Sequence, residues 1–224
     1  MKASRRVFIF VEGQTEETFV NSVLGPHLAM FNIYCTPVVA KTKINKKGVN
    51  FKGGITSYNK IRSQILLLLR DSSVSLVTTM IDFYGFPTDT PFENNLSGKS
   101  ALERAEALES LFLKDIGHQK FLPYLQLHEF EALIFVSPEI TANKLNPDGN
   151  RSTYHQLQDI SSKYNSPEEI NDNPATIPSR RLLEIFPNYN KVRHGSLVTN
   201  ALGIGRIREM CPHFHQWLSN LERL

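Results

Sequence analysis

Four carboxylates stand where short apolar runs give out. Val7-Phe8-Ile9-Phe10-Val11 stops at Glu12 and passes through Gly13 and Gln14 into Thr15-Glu16-Glu17. Val74-Ser75-Leu76-Val77-Thr78-Thr79-Met80-Ile81 stops at Asp82, ahead of the turn Phe83-Tyr84-Gly85-Phe86-Pro87. Phe121 to Leu127 (FLPYLQL) stops at His128-Glu129-Phe130-Glu131. Apolar runs of this length, bounded by turn residues, read as strands covered on both faces. Ligands of open α/β sheets lie outside the carboxyl ends of such strands. If the three strands are neighbours, their carboxylates share one edge. Like charges held close repel, which calls for a bound cation or a raised pKa.

The chemistry such a site offers is that of a hard divalent cation. Mg²⁺ and Mn²⁺ take oxygen donors, and Mg²⁺ usually takes one or two protein carboxylates plus water and phosphate oxygens. An ion so held binds a scissile phosphate, lowers the pKa of a bound water and stabilises the leaving oxygen. The candidate ligands are Glu12, Asp82, Glu129 and Glu131, with Glu12, Asp82 and Glu129 as the catalytic set. The rival reading of Asp82 is a cap on the turn that follows it. Glu129 and Glu131 share a face only in an extended segment, whereas His128 and Glu131 share one in a helix. Glu16, Tyr84 and His128 are supporting residues, and Gln126 can add a hydrogen bond at the same edge. Zinc fits less well, because no Cys/His cluster is present. Serine catalysis lacks its Gly-x-Ser-x-Gly elbow. Ser97-Gly98-Lys99-Ser100 looks like the end of a phosphate-binding loop, but the leading glycine would fall at Glu93 and no strand precedes it, which excludes ATP binding by that route.

The elements that position these residues follow from periodicity. Helical spacing marks Glu16 to Met30, with Thr15 as N-cap. Ile33 to Ala40 reads as a strand that Pro37 pushes towards an edge. Tyr58 to Leu69 and Ala101 to Leu113 read as helices, the second with Lys99, Glu103, Arg104, Glu106 and Glu109 on a solvated face. Beyond Ser137 the chain turns to short helical pieces, around Tyr154 to Lys163 and Pro167 to Asn171, then Ser196 to Ile204 and Pro212 to Leu224. The expectation is a mostly parallel α/β sheet flanked by helices over 1–136, with a helical extension over 137–224 packed on it.

Two segments are basic. Lys41, Lys43, Lys46, Lys47 and Lys52 crowd one loop with no acid among them, and Arg180, Arg181, Lys191, Arg193, Arg206 and Arg208 face Glu184 alone. Either is a solvated face or an arm for phosphates. The 224 residues carry 41% hydrophobic and 21% charged side chains and a net charge of +3, ordinary for a globular chain and permissive for nucleic acid. Two cysteines form no disulfide framework, and no apolar run approaches the roughly 20 residues that span a bilayer. A cytoplasmic protein is expected.

The strand-Glu-Gly-x-Thr-Glu opening (Glu12, Gly13, Thr15, Glu16) and the later strand-Asp (Asp82) resemble a TOPRIM domain, the metal-binding module of topoisomerases, primases and overcoming-lysogenization-defect-type nucleases. Val11-Glu12-Gly13-Gln14-Thr15-Glu16, Ile81-Asp82-Phe83-Tyr84-Gly85-Phe86-Pro87, Pro123 to Ala132 (PYLQLHEFEA) and Cys211-Pro212-His213-Phe214 resemble, more closely, an uncharacterised bacterial TOPRIM-like family often encoded beside an SMC/ABC-type ATPase. The resemblance covers nearly the whole chain. It implies a Rossmann-like TOPRIM fold, Glu12 as metal ligand or general base, and Asp82 as metal ligand. It implies a Mg²⁺- or Mn²⁺-dependent nuclease acting on DNA or RNA, in phage defence with an ATPase partner. One departure stands out: the TOPRIM pattern places a second Asp where this chain has Tyr84. That departure supports the alternative of a non-catalytic module that binds nucleic acid or the ATPase.

Overall fold

The computed structural model describes residues 4–41, 57–92, 99–149, 151–170 and 176–224. The basic loop residues Lys43, Lys46, Lys47 and Lys52 lie outside them. The centre is β1 (Arg5–Val11), all five of whose last residues are buried. Burying one large aliphatic or aromatic side chain contributes roughly 1.5–3 kcal/mol, so this run anchors the fold. It lies between β2 (Ile33–Val39) and β3 (Leu76–Asp82), and every pairing in the sheet is parallel. The order is β2-β1-β3-β4, so β2 is an edge strand, as Pro37 requires.

The fourth strand differs from its prediction. It is split into β4 (Phe121–Leu122) and β5 (Leu125–Gln126), both paired with β3. Between them the ladder is replaced by one side chain: Thr79 Oγ1 donates to the Tyr124 carbonyl at 2.7 Å and accepts from the Tyr124 N–H at 2.8 Å. Pro123 has no N–H to offer a ladder, so the break falls there.

Both sheet faces are covered. Val7, Ile9 and Val11 of β1, with Leu76 and Met80 of β3, face one buried cluster; Phe8, Phe10, Val77 and Ile81 face another. This is the period-two alternation of a strand buried on both sides. In chain order the helical elements are α1 (Gln14–Phe19), which passes through a π-turn at Val20–Leu24 into α2 (Gly25–Ala29), then α3 (Tyr58–Leu68), α4 (Ala101–Ile116), a 3₁₀ segment (Phe130–Val136), α5 (Pro138–Leu145), α6 (Ser152–Ser161), α7 (Pro178–Ile185), α8 (Lys191–Met210) and α9 (Pro212–Glu222). The second cluster is closed by α3 and α4, the first by the other helices.

Several local expectations are corrected. The N-cap of α1 is Gly13, not Thr15; glycine has no side chain to cap with, and Glu16 supplies only the returning half of a capping box, accepting from the Gly13 N–H at 2.9 Å. The helix expected over Ser196 to Ile204 is part of α8, which bends at Gly203 (φ 70°, ψ 161°), a conformation open to glycine. Glu109 does not belong to a solvated face. Its Oε1 accepts from the Leu125 N–H at 2.6 Å and lies 3.0 Å from His213 Nε2, tying α4 to β5 and α9. The C-terminal helices enter the same core as the sheet: Trp217 Nε1 donates to Thr78 Oγ1 at 2.9 Å, and the Glu168 carboxylate caps α9 by accepting from the His213 and Phe214 N–H groups.

Candidate functional site

Parallel pairing of β1 and β3, with Val11 opposite Met80, puts Glu12 and Asp82 one residue out of step with each other at the same carboxyl edge. Beyond the strands the loops keep bonding: the Phe83 N–H donates to the Gln126 carbonyl at 2.8 Å and the Tyr84 N–H to the His128 carbonyl at 3.3 Å. The chain then turns at His128, whose φ of 63° is rare for a residue with a side chain. Asp82 Oδ1 accepts from the Phe130 N–H at 2.9 Å and fixes the start of the 3₁₀ segment. Asp82 therefore caps a segment 48 residues away, rather than the turn that follows it. This brings Glu131, fully buried, into the cluster.

The fourth carboxylate is Glu16, buried at the start of α1. Facing the group is Lys191, the first residue of α8. Its Nζ lies 3.1 Å from Glu131 Oε2 and 3.5 Å from Asp82 Oδ2, with the side chain 41% exposed. The sequence put Lys191 on a phosphate-contacting surface; the structure puts it among the acids. Asn190 caps α8, its side chain accepting from the Arg193 N–H at 2.9 Å.

Burial raises the Asp82 pKa well above the usual carboxylate range; the Lys191 charge opposes it and Glu16, Glu12 and Glu131 add to it. Burial and the neighbouring Glu16 push Glu12 up as well. Glu131 is pushed up to about 7 by burial, against the pull of Lys191. Burial alone would lower the Lys191 pKa, but the charges of Asp82 and Glu131 outweigh it and hold the amine protonated. Glu12 Oε2 and Glu131 Oε1 are buried with no hydrogen-bond partner among the described residues. Gly85 makes room for Glu12: a Cβ there would stand 2.9 Å from Glu12 Oε2.

The all-oxygen donor set and its orphaned carboxylate oxygens suit a hard divalent cation in chemistry. In arrangement, no three His, Cys, Asp or Glu side chains among the described residues are grouped to share one ion, and an ammonium faces two of the acids. Glu129, expected as a ligand, accepts through Oε2 from the Ser179 N–H at 3.1 Å in the first turn of α7, and its charge reaches Glu12 and Glu131. Tyr84 is 43% exposed and stacks on the buried His128 ring, centroids 5.3 Å apart. Gln126 Oε1 accepts from the Tyr124 hydroxyl at 2.9 Å, inside the core.

The remaining basic candidates divide by exposure. Lys41, Arg180 and Arg193 are exposed. Arg181 is half-buried, donating from Nε to the Thr176 carbonyl at 2.7 Å and from Nη2 to the Tyr164 hydroxyl at 3.3 Å. Sequence reasoning missed that Lys191 answers the carboxylates. A signal was present: the first turn of α8 carries Lys191 and Arg193 and no acid. A cation there opposes the helix dipole unless an acid lies nearby in space.

The fold and site together define a parallel α/β protein with helices on both faces and an acidic cluster at the carboxyl edge of its central strands. The chain belongs to the DUF4276 family, a domain of unknown function whose profile matches residues 11–222. No curated protein matches its sequence. Among solved structures it is similar to the C-terminal region of the Burkholderia pseudomallei OLD protein, with 16% identity, TM-score 0.44 and coverage of 98% of this chain and 100% of that one. It is also similar to the C-terminal region of the Xanthomonas campestris pv. campestris OLD protein, with 17% identity, TM-score 0.38 and 98% of each chain covered. A likeness this distant transfers no residue role. No helix among the described residues is long and apolar enough to cross a membrane.

Proposed function

We propose that this chain is a divalent-metal-dependent nuclease module that hydrolyses phosphodiesters of DNA or RNA. The observation that carries the reading is the convergence of Glu12, Glu16, Asp82 and Glu131 on one edge, with Lys191 against them. Such a cluster is costly to hold together without cations. Mg²⁺ or Mn²⁺ would be held by no more than two of Glu12, Asp82 and Glu131 at a time, with water and phosphate oxygens completing its shell. When bound, the ion polarises a phosphodiester and supplies an activated water. Glu16 organises the Gly13 turn and adds negative charge behind Glu12. Glu129 holds α7 in place and raises the negative potential felt by Glu12 and Glu131. Lys191 brings positive charge to the place where an anionic phosphate would enter. The motif resemblance extends the proposal to phage defence beside an SMC/ABC-type ATPase, which co-purification from the native host tests.

A second reading is favoured by the Lys191 contacts. There the ammonium is the permanent counter-ion, and the chain is a binding module without hydrolysis. Glu12→Gln separates the two. The first reading expects Mn²⁺-dependent cleavage of plasmid DNA or of single-stranded DNA or RNA by the wild type and a loss of at least about a hundredfold in the variant, with the fold retained. Cleavage that persists in pure Glu12→Gln protein overturns it. Wild-type protein that binds no Mn²⁺ by calorimetry leaves the second reading in its place.

A further inference from the structure

Beside the carboxylates stands an aromatic surface to which that reading gives no task. Tyr84 lies two residues past Asp82, and its neighbour Gly85 packs against Glu12. The Tyr84 ring therefore leaves the backbone at the rim of the acidic cluster, and it is 43% exposed. Three features hold it. It stacks on His128, with ring planes 28° apart, and His128 is buried and fixed by its left-handed backbone. It leans on Phe83, centroids 5.8 Å apart. Its N–H is bonded to the His128 carbonyl. The Arg104 guanidinium lies over Phe83 at 5.9 Å, adding positive charge to the same surface.

A large aromatic ring held in place, half in solvent and next to an acidic cluster, has paid its ordering cost before any ligand arrives. The ligand such a ring takes is a flat π-face. A duplex does not offer one, because each base is covered above and below by its neighbours. Unpaired nucleotides do, and they stack on tyrosine with little regard to sequence. We propose that Tyr84, backed by His128 and flanked by Phe83 and Arg104, is a stacking platform for an unpaired base, and that the substrate class of this site is single-stranded nucleic acid. The substrate assignment rests on the nuclease reading; the binding role of Tyr84 does not. A base on Tyr84 lies at the rim of the cluster that carries Glu12 and Asp82, with the Arg104 charge on the same surface.

The test is fluorescence anisotropy in EDTA, with labelled 12-nucleotide DNA and RNA single strands and the blunt DNA duplex. The proteins are the wild type, Tyr84→Ala and Tyr84→Phe, each checked for folding by thermal melting. The wild type is expected to bind single strands more tightly than the duplex. Tyr84→Ala should lose roughly tenfold or more on single strands and almost nothing on the duplex, and Tyr84→Phe, which keeps the ring, should restore the affinity. Equal affinity for single strands and duplex, no binding by the wild type, or a folded Tyr84→Ala with unchanged single-strand affinity each overturns the proposal. Because no metal is present, the result is independent of cleavage. A chain that binds single strands through Tyr84 and never cuts would sink the nuclease reading alone. One that nicks duplex DNA with Tyr84 dispensable would sink this one alone.

Discussion

At the scale of the residue, the site is governed by one amine placed against its helix dipole. Lys191 opens α8, where the helix end is positive and an anion would be preferred. Its contacts to Asp82 and Glu131 compensate. Those acids and Glu12 all have raised pKa values, Glu131 about 7 against an ordinary 4.5. A carboxyl whose pKa rises on folding binds its proton more tightly in the native state. Its contribution to stability is full below about 4.5 and is lost as pH climbs through about 7. Lys191→Met removes the facing charge and lifts these pKa values further, so its cost must grow with pH. The expected loss is about 2 kcal/mol at pH 8 and under about 1 kcal/mol at pH 5, below the figure for a fully buried pair because the lysine is partly solvated. Urea unfolding at the two pH values measures it. Mn²⁺ should then raise the melting temperature of the variant at pH 8 more than that of the wild type, since the ion would neutralise what the amine no longer does. A loss independent of pH would mean that Lys191 contributes packing by its stem and little charge.

At the scale of the element, the broken fourth strand shows how a side chain can stand in for a ladder. Thr79 Oγ1 serves both the N–H and the carbonyl of Tyr124 within the buried sheet. Thr79→Val keeps the shape and deletes both bonds, leaving two backbone groups without partners. A cost on the order of 2–4 kcal/mol follows, measured as a shift in the urea midpoint with unchanged slope. A loss below about 0.5 kcal/mol would show that solvent or backbone movement satisfies Tyr124. This element also marks where sequence reading stops. β1 and β3 are legible because unbroken apolar runs end at Glu12 and Asp82, and a parallel sheet needs nothing else to set those acids together. The break in FLPYLQL is not, because the group that completes it is 45 residues away and threonine is ordinary in any strand. The same holds across the site. Asp82 and Glu131 announce themselves by type and position. Lys191 answers them from 109 residues beyond Asp82, inside a basic stretch whose plain reading is a surface. Glu129 looked like a ligand by adjacency and is held by the N–H of Ser179, a contact no spacing rule encodes.

At the scale of the molecule, the net charge of +3 says little until the basic residues are sorted by what they touch. Arg208 serves structure: Nη1 donates to Glu222 Oε1 at 2.8 Å and Nη2 to Glu222 Oε2 and Ser219 Oγ at 3.2 Å, clamping α8 to α9. Arg181 is spent on the loop before α7. Arg180 and Arg193 are exposed, on the same two helices whose starts meet Glu129 and the acidic cluster. An anionic strand is repelled by the carboxylates unless nearby cations offset them, and these two arginines, with Lys191, are the candidates to do so. Charge neutralisation by exposed arginines carries no sequence preference and is screened by salt. Arg193→Ala and Arg180→Ala should therefore each weaken single-strand binding severalfold at low salt, lower the slope of log affinity against log salt by about 0.7, and leave the melting temperature unchanged. Arg181→Ala and Arg208→Ala should do the reverse, costing about 1–3 kcal/mol of stability through lost charged hydrogen bonds with the salt slope intact. Anisotropy titrations at several salt concentrations, paired with thermal melts, read both quantities. A pattern in which all four variants change the slope alike would mean that binding follows the net charge of the whole surface, and that the strand does not track the edge where Glu12 and Asp82 stand.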